Sequence, residues 1–471
     1  MSATYDQPCS EAELRAGREA AGACPKPRRP FVLAASVLGS AMVFIDGSAL
    51  SVALPALRDA IGAGPGELNW IVNAYTVMLA ALMLVGGAAG DRFGRRAVFI
   101  AGAGGFALAS ILCGLARTPE LLIAARAAQG LFGAMLAPAS LALIAAAYPR
   151  EERAGAIGVW AGASALTTAG GPVLGGVLVD QIHWSAIFFI NVPIAAGAVA
   201  LSLVSPETRD REDPRPFDIA GAGLAAAALA LIAFGLVGLG EGEAGIAAAA
   251  GALALGLALF AAFLVFEHRA GTPMVPLSLF RIRALSAANL FTLFAYFGLG
   301  ATFFALPLLV SGTRGWSAGE IGLAFLPFTL AVGILSRALG GLAVRIGARQ
   351  VMVAGAALAA LGFAWLALFA GSAAWIGVYL PMGICGLGFA AFIPALTDTA
   401  VSSAPEGMEG VASGINNAVS RIASMLGVAA AAGFFAAGVP YLSYWAASAL
   451  ALAGAACGLF TYAPSHGANP R

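Results

Sequence analysis

Residues 87–96 read GAAGDRFGRR, and residues 340–349 read GGLAVRIGAR. Each segment follows an apolar run, and both carry Gly, Arg, Gly and Arg at the same offsets. Gly87 and Gly340 stand 253 positions apart. A recurring segment marks a fold assembled from copies of one unit. Two six-helix halves alone would give a shorter offset. Two further apolar helices, at about 219–240 and 246–267, account for the excess. The expected plan is six helices, then two, then six. Parallel six-helix repeats build one large class of membrane transporter.

The composition fits that plan. The chain has 471 residues, 60% of them hydrophobic and 10% charged, and its mean hydropathy is +0.89. Soluble domains carry about a quarter charged residues. Runs of 18 or more apolar residues read as membrane helices. We read fourteen, at about 31–54, 69–90, 97–116, 120–147, 154–179, 184–204, 219–240, 246–267, 286–311, 318–340, 350–370, 374–402, 407–437 and 441–462. The expected fold is an all-α polytopic membrane protein with 14 transmembrane helices, two six-helix bundles plus two inserted helices. Its parts are a cytoplasmic tail (1–30), a first bundle (31–204), a charged linker SPETRDREDPRPFD (205–218), the inserted pair (219–267), a second bundle (286–462) and a cytoplasmic tail (463–471).

Lys and Arg set orientation. With the N-terminus inside, 20 of the 25 fall on cytoplasmic segments. Outer loops hold only Arg58, Arg117 and Arg314, while Arg126 and Arg421 lie within helices. Both termini are thus expected in the cytoplasm. The net charge of +1 offers no basic face for nucleic acid. The five cysteines have no metal-ligand spacing and the three histidines are scattered, so no cofactor or metal is expected. The single lysine, Lys26, precedes Pro27, so there is no GxxxxGK[ST] phosphate loop for a primary pump. A membrane enzyme, a sensor and a metabolite importer or facilitator remain as alternatives.

Several residues in this pattern carry chemistry. Asp46 lies in the apolar run from Phe31 to Leu54. A carboxylate at mid-bilayer costs roughly 2.5–3.5 kcal/mol, and such a residue is a functional hypothesis by default. In the 87–96 segment, read as a short loop, Gly87 and Gly94 permit a tight turn. Asp91 is expected at the start of the following helix, where the dipole favours an anion. Arg92, Arg95 and Arg96 are placed to face lipid headgroups and carbonyls. The alternative is an ordinary positive cytoplasmic loop. In the fifth helix Gly162, Gly170, Gly171, Gly175 and Gly176 permit close approach of a neighbour, and Pro172 permits a kink. Candidates to line a substrate cavity are Asn73, Tyr75, Gln129, Asn289, Asn417 and Arg421. Asn191 and Asn416 are further polar residues in spans. For all of these, plain interhelical hydrogen bonding is the alternative.

The segments also resemble a known family. GAAGDRFGRR is similar to the loop signature between helices 2 and 3 of the major facilitator superfamily. LLIAARAAQGLFGA (121–134) resembles its helix-4 motif, with Arg126, Gln129 and Gly130 in place, and AGGPVLGGVL (169–178) its helix-5 antiporter motif. IDGSALSVALP (45–55) and FFINVPI (188–194) resemble signatures of the fourteen-helix drug:proton antiporters of the EmrB/QacA type. The second copy of the loop signature carries Val344 where the first has Asp91. The resemblance implies a monomeric, proton-coupled exporter of amphipathic small molecules in the cell membrane, with the lipid bilayer, protons and a small-molecule substrate as its partners. It implies that helices 1 and 4 line one cavity. By helical rise Asp46 and Arg126 lie at similar depth, and the resemblance then makes Asp46 the proton site and Arg126 its partner. A static ion pair that fixes helix packing is the alternative. The helix-5 motif Gly171, Pro172, Gly175, Gly176 is read as a gate, and Gly87, Asp91, Arg92, Gly94, Arg95 and Arg96 as a conformational motif.

Overall fold

The computed structural model describes residues 25–205, 219–238, 243–270, 273, 277–405 and 408–460. In lipid the backbone must satisfy its own hydrogen bonds, and long apolar runs do so as helices. The helices are α1 (Arg29–Ile61), α2 (Pro65–Phe93), α3 (Arg95–Leu115), α4 (Pro119–Ala147), α5 (Arg150–Gln181), α6 (Asn191–Ser202), α7 (Ile219–Gly238), α8 (Glu243–Arg269), α9 (Arg283–Arg314), α10 (Ala318–Ile346), α11 (Ala348–Phe369), α12 (Leu380–Ser402), α13 (Glu409–Ala436) and α14 (Leu442–Gly458). A helical turn, Ala186–Phe189, precedes α6, and a π-helical turn, Trp375–Tyr379, leads into α12. Within the described residues each stretch read as helical is mostly helical, the sixth as a turn followed by α6; the readings of 1–24, 206–218 and 461–471 lie outside the described residues. Among the described residues nine helices are long and apolar enough to cross a membrane, or ten if the bent α5 counts as one span.

The helix ends repeat with the 253-residue spacing. Gly62 (φ 68°) ends α1 and Gly315 (φ 65°) ends α9. Gly94 (φ 109°) is the one residue between α2 and α3, as Gly347 (φ 101°) is between α10 and α11. A side chain at such positive φ is strained, so glycine is required. The Glu67 carboxylate accepts from the Gly64 amide at 2.7 Å, and the Glu320 carboxylate from the Ser317 amide at 2.9 Å. These contacts satisfy amides that a helix start leaves orphaned.

Two compact units result, one of Met1–Gly62 with Trp70–Ala226 and one of Ala63–Asn69 with Ala227–Arg471. In the first, α1 packs on α4, α5 and α6, and α3 on α4 and α6. In the second, α9 packs on α12, α13 and α14, and α11 on α12 and α14. The pairings are the same, six elements later plus the inserted pair. α7 and α8 meet through small residues. A Cβ added at Gly235 would lie 2.7 Å from the Leu253 Cβ, and one at Gly256 2.9 Å from the Ile232 amide nitrogen. Such approach is how helices associate in lipid, where no hydrophobic force joins them.

Candidate functional site

The first unit closes around one polar centre. Asp46 on α1 and Arg126 on α4 form an ion pair, Arg126 Nη1 donating to Asp46 Oδ2, with both side chains 1% exposed. Arg126 and Gln129 are three apart and share a helix face. Arg126 Nη1 also donates to Gln129 Oε1 at 2.7 Å, and Arg126 Nε to the Ile71 carbonyl at 3.0 Å. Gln129 Nε2 donates to Asp46 Oδ1 at 3.1 Å and to Ser110 Oγ at 2.8 Å. Cys113 on α3 donates to Gln129 Oε1 at 3.2 Å. Asn191, at the start of α6, donates to Asp46 Oδ1 at 3.1 Å and to Ser110 Oγ at 3.3 Å.

Aromatic rings shield the guanidinium. The Tyr75 ring lies 4.3 Å from Arg126 Cζ and the Phe188 ring 5.9 Å. The cation is thus held over π faces as well as by acceptors. The Tyr75 hydroxyl donates to the Val43 carbonyl at 3.0 Å, which fixes its ring beside α1. Chemically, the centre is one carboxylate able to take a proton and one guanidinium that stays charged.

Of the residues anticipated from the sequence, Asp46, Tyr75, Arg126 and Gln129 converge here. Tyr75 and Gln129, read from the sequence as candidates to line a cavity, both touch the ion pair. Asn73 is fully buried on α2. Ser110, Cys113, Phe188 and Asn191 complete the site. Ser110 and Cys113 announced themselves only as a polar pair three apart on an apolar helix, and Asn191 as an amide inside a span.

The glycines of α5 divide. A Cβ at Gly171 would strike Ser48, and one at Gly175 would lie 2.8 Å from the Ala49 carbonyl, so these two bring α5 onto α1 beside Asp46. Gly176 is buried. A Cβ at Gly162 or Gly170 would meet nothing within 4 Å, so those two do not serve close approach as expected. α5 bends by 42° between Thr168 and Gly170. Pro172 removes the amide that would bond the Thr168 carbonyl, which places the bend there. The hydroxyls of Thr167 and Thr168 bond back to the Ser164 carbonyl, at 3.0 and 2.8 Å. Arg29–Glu152 (2.7 Å) and Trp160 Nε1 to Ser40 Oγ (2.8 Å) fasten the rest of the α1–α5 seam.

The 87–96 segment is more helical than the sequence suggested. α2 runs on through Asp91 and Arg92 to Phe93. Asp91 therefore lies in the last turn of α2, and Gly94 takes the start of α3. One glycine at positive φ suffices to reverse the chain, so no loop is needed. A Cβ at Gly87 would lie 3.7 Å from Pro138 on α4. Arg92 is exposed over the Phe93 ring, and Arg95 is half-buried. Arg96 donates to the Ser205 carbonyl at 3.1 Å, just beyond the end of α6.

In the second unit Asn289 on α9 accepts from Asn416 on α13 at 3.2 Å, and Asn416 also donates to Thr292 Oγ1 at 2.7 Å. Asn417, the neighbour favoured from the sequence, is exposed, and its side-chain amide donates back along its own helix to the Ser413 carbonyl at 3.2 Å. One residue is about 100° of helix rotation, which turns Asn416 and not Asn417 toward α9. Arg421 is half-buried on α13.

Comparison with known proteins places this arrangement. The Major Facilitator Superfamily model matches residues 36–428. The multidrug resistance protein Stp of Mycobacterium tuberculosis is 34% identical over 402 residues, covering 85% of this chain and 74% of its own. The tetracenomycin C resistance and export protein of Streptomyces glaucescens is 32% identical over 429 residues, covering 90% and 78%. The cephamycin export protein CmcT of Amycolatopsis lactamdurans is 35% identical over 397 residues, covering 82% and 81%. Among solved structures, a peptide transporter, POT, crystallised with sulfate superposes with a TM-score of 0.68 at 16% identity, covering 92% of this chain and 94% of the other. That likeness speaks to the fold. The chain belongs to the Major Facilitator Superfamily. It is a multi-pass membrane protein of a transporter family, and the relatives it matches are transporters and not enzymes.

Proposed function

We propose that this chain is a proton-driven exporter of amphipathic small molecules, an antiporter of the fourteen-helix type with Asp46 as its proton site. The observation that carries the reading is the wholly buried Asp46–Arg126 pair in a bundle of apolar helices. A proton entering from outside neutralises Asp46. Arg126 then loses its counterion but keeps the Gln129 and Ile71 acceptors and the Tyr75 face. The lost attraction loosens α1 from α4. Because Gly171 and Gly175 seat α5 on Ser48 and Ala49, a shift of α1 passes to the bent helix, which acts as the gate. Gly87, Asp91, Arg92, Gly94, Arg95 and Arg96 stiffen or release the inner end of α2 during that shift.

The plan this requires is six helices, two inserted helices and six more, with both termini in the cytoplasm of a cell-membrane monomer. The 253-residue repeat of helix caps supports it, as does the count of 20 inner cations. The names of the relatives favour drugs and antibiotics as cargo. One convincing membrane carboxylate favours neutral, zwitterionic or anionic molecules over cations. Asn289 with Asn416, and Arg421 and Asn417 on the same helix, are the polar groups of the second unit offered to cargo. At a potential of ~150 mV one proton supplies roughly 3.5 kcal/mol, which sustains a few hundred-fold gradient of a neutral solute.

The test is pH-gradient-driven uptake of a panel of lipophilic compounds into inside-out vesicles, wild type against Asp46→Asn. Uptake that dissipates the gradient in wild type and is lost in a folded Asp46→Asn protein is expected. Equal driven uptake in both proteins would make the pair structural.

A further inference from the structure

The buried carboxylate of Asp46 has two amide partners, and they are not equivalent. Gln129 is saturated, because its Oε1 already accepts from Arg126 and Cys113 and its Nε2 donates to Asp46 and Ser110. Asn191 is not. Its Nδ2 donates to Asp46 Oδ1 and Ser110 Oγ, while its Oδ1, fully buried, has no hydrogen-bond partner among the described residues. A buried acceptor left idle is costly, because it has given up water without a replacement. The Ser110 hydroxyl is itself engaged, donating to the Phe106 carbonyl at 2.8 Å.

An idle acceptor beside a proton site has a use when the proton arrives. Protonation of Asp46 Oδ1 on the side of Asn191 forms an O–H bond that points at the Asn191 N–H, so the amide can no longer donate along that line. Half a turn about the Asn191 Cβ–Cγ bond then brings its Oδ1 to the new acid. Building on the proton-site reading, we propose that Asn191 is a positioning residue that senses the protonation state of Asp46: it donates to the carboxylate and, rotated, accepts from the carboxylic acid. It thereby supports both states of the cycle, which a fixed donor cannot do. The charged and titratable groups around Asp46 are Arg126 on α4, Cys113 on α3 acting through Gln129, and Tyr75 on α2 behind the guanidinium. Asn191 on α6 adds no charge.

The experiment is pH-difference infrared spectroscopy of the full-length protein in lipid nanodiscs, with protons as the only added ligand. Acidified wild type should show a carboxylic acid C=O band that Asp46→Asn lacks. In Asn191→Leu, which fills the space without an acceptor, that band should move to higher wavenumber. In Asn191→Ser, which keeps a small donor and acceptor, the move should be smaller. A band that stays in place in folded Asn191→Leu overturns the proposal and leaves Asp46 as proton site. If Asn191→Leu does not fold, an unmoved band in folded Asn191→Ala, which also lacks the acceptor, overturns it equally. Absence of any Asp46-dependent band overturns the proton-site reading itself.

Discussion

In the first unit α1, α3, α4 and α6 enclose a carboxylate, a guanidinium, two amides and a hydroxyl. In the second, α9, α11 and α12 pair in the same way around aromatic rings. Phe291 and Phe392 lie 5.2 Å apart, Phe389 and Phe392 4.6 Å, and Phe363 and Phe389 6.4 Å. The polar contact described there, Asn289 with Asn416 and Thr292, carries no charge. The shared parts are the instructions for the backbone, namely the glycine caps, the Glu67 and Glu320 amide bonds and the glycine crossings. In the second unit the pairings of α9, α11 and α12 thus close around aromatic rings, where the first unit has its ion pair. Replacing a buried ion pair by apolar side chains is often neutral or stabilising. Packing alone thus gives little reason to keep charge in the first unit, and a working proton site gives one.

Substitutions that break or sharpen this contrast fall in a clear order. Arg126→Leu strands the Asp46 carboxylate and is expected to cost about 3–5 kcal/mol. The double variant Asp46→Leu with Arg126→Leu, which makes the first centre resemble the second, should recover most of that in thermal unfolding while remaining dead in driven transport. A double variant as unstable as Arg126→Leu would show that the charges hold the unit together after all. Next come the glycine crossings. Gly175→Val drives a side chain into the Ala49 carbonyl, where a Cβ would already lie 2.8 Å away, and Gly427→Val into the Phe297 carbonyl and the Ala301 amide. Each should cost about 1–3 kcal/mol, and unequal losses would break the equivalence of the two seams.

Smaller effects test the caps and the amides. Gly94→Ala and Gly347→Ala should each lose about 1–2 kcal/mol, because both glycines hold positive φ. Denaturation that separates the pair by more than the scatter of replicate melts would argue against a common role. Asn416→Ala should cost about 1 kcal/mol and alter the apparent affinity for a transported dye while gradient-driven uptake persists. Loss of driving with unchanged affinity would move the coupling chemistry into the second unit.

Much of the architecture was legible because helices in lipid advertise themselves. The apolar runs set where each helix lies, and the recurring Gly-Arg-Gly-Arg pattern announced the repeat. Asp46 and Arg126 were legible as charges with no business in a bilayer, and their matching depth followed from helical rise. The short reach of sequence patterns shows at Asp91. A residue beside a glycine turn was expected to start the next helix, but Gly94 alone makes the turn and α2 keeps Asp91. It shows again at Asn416 against Asn417, where only the rotation of α13 decides which amide meets α9. Ser110 and Cys113 on α3 were hidden, and Asn191 on α6 was only one polar residue among several, because their value lies in convergence on Asp46 and Gln129 from chain-distant helices, which no local spacing encodes. The bend in α5 was anticipated at Pro172, and its position one turn earlier follows from the missing amide.

The most direct test separates carrying from driving. Proteoliposomes holding wild type or Asp46→Asn would be loaded with a transported dye, and its exchange measured without a pH gradient, then its accumulation with one. Asp46→Asn should retain exchange and lose gradient-driven accumulation, because the carrier still alternates but no longer binds the proton. Accumulation equal to wild type in Asp46→Asn would contradict the claim that Asp46 is the proton site.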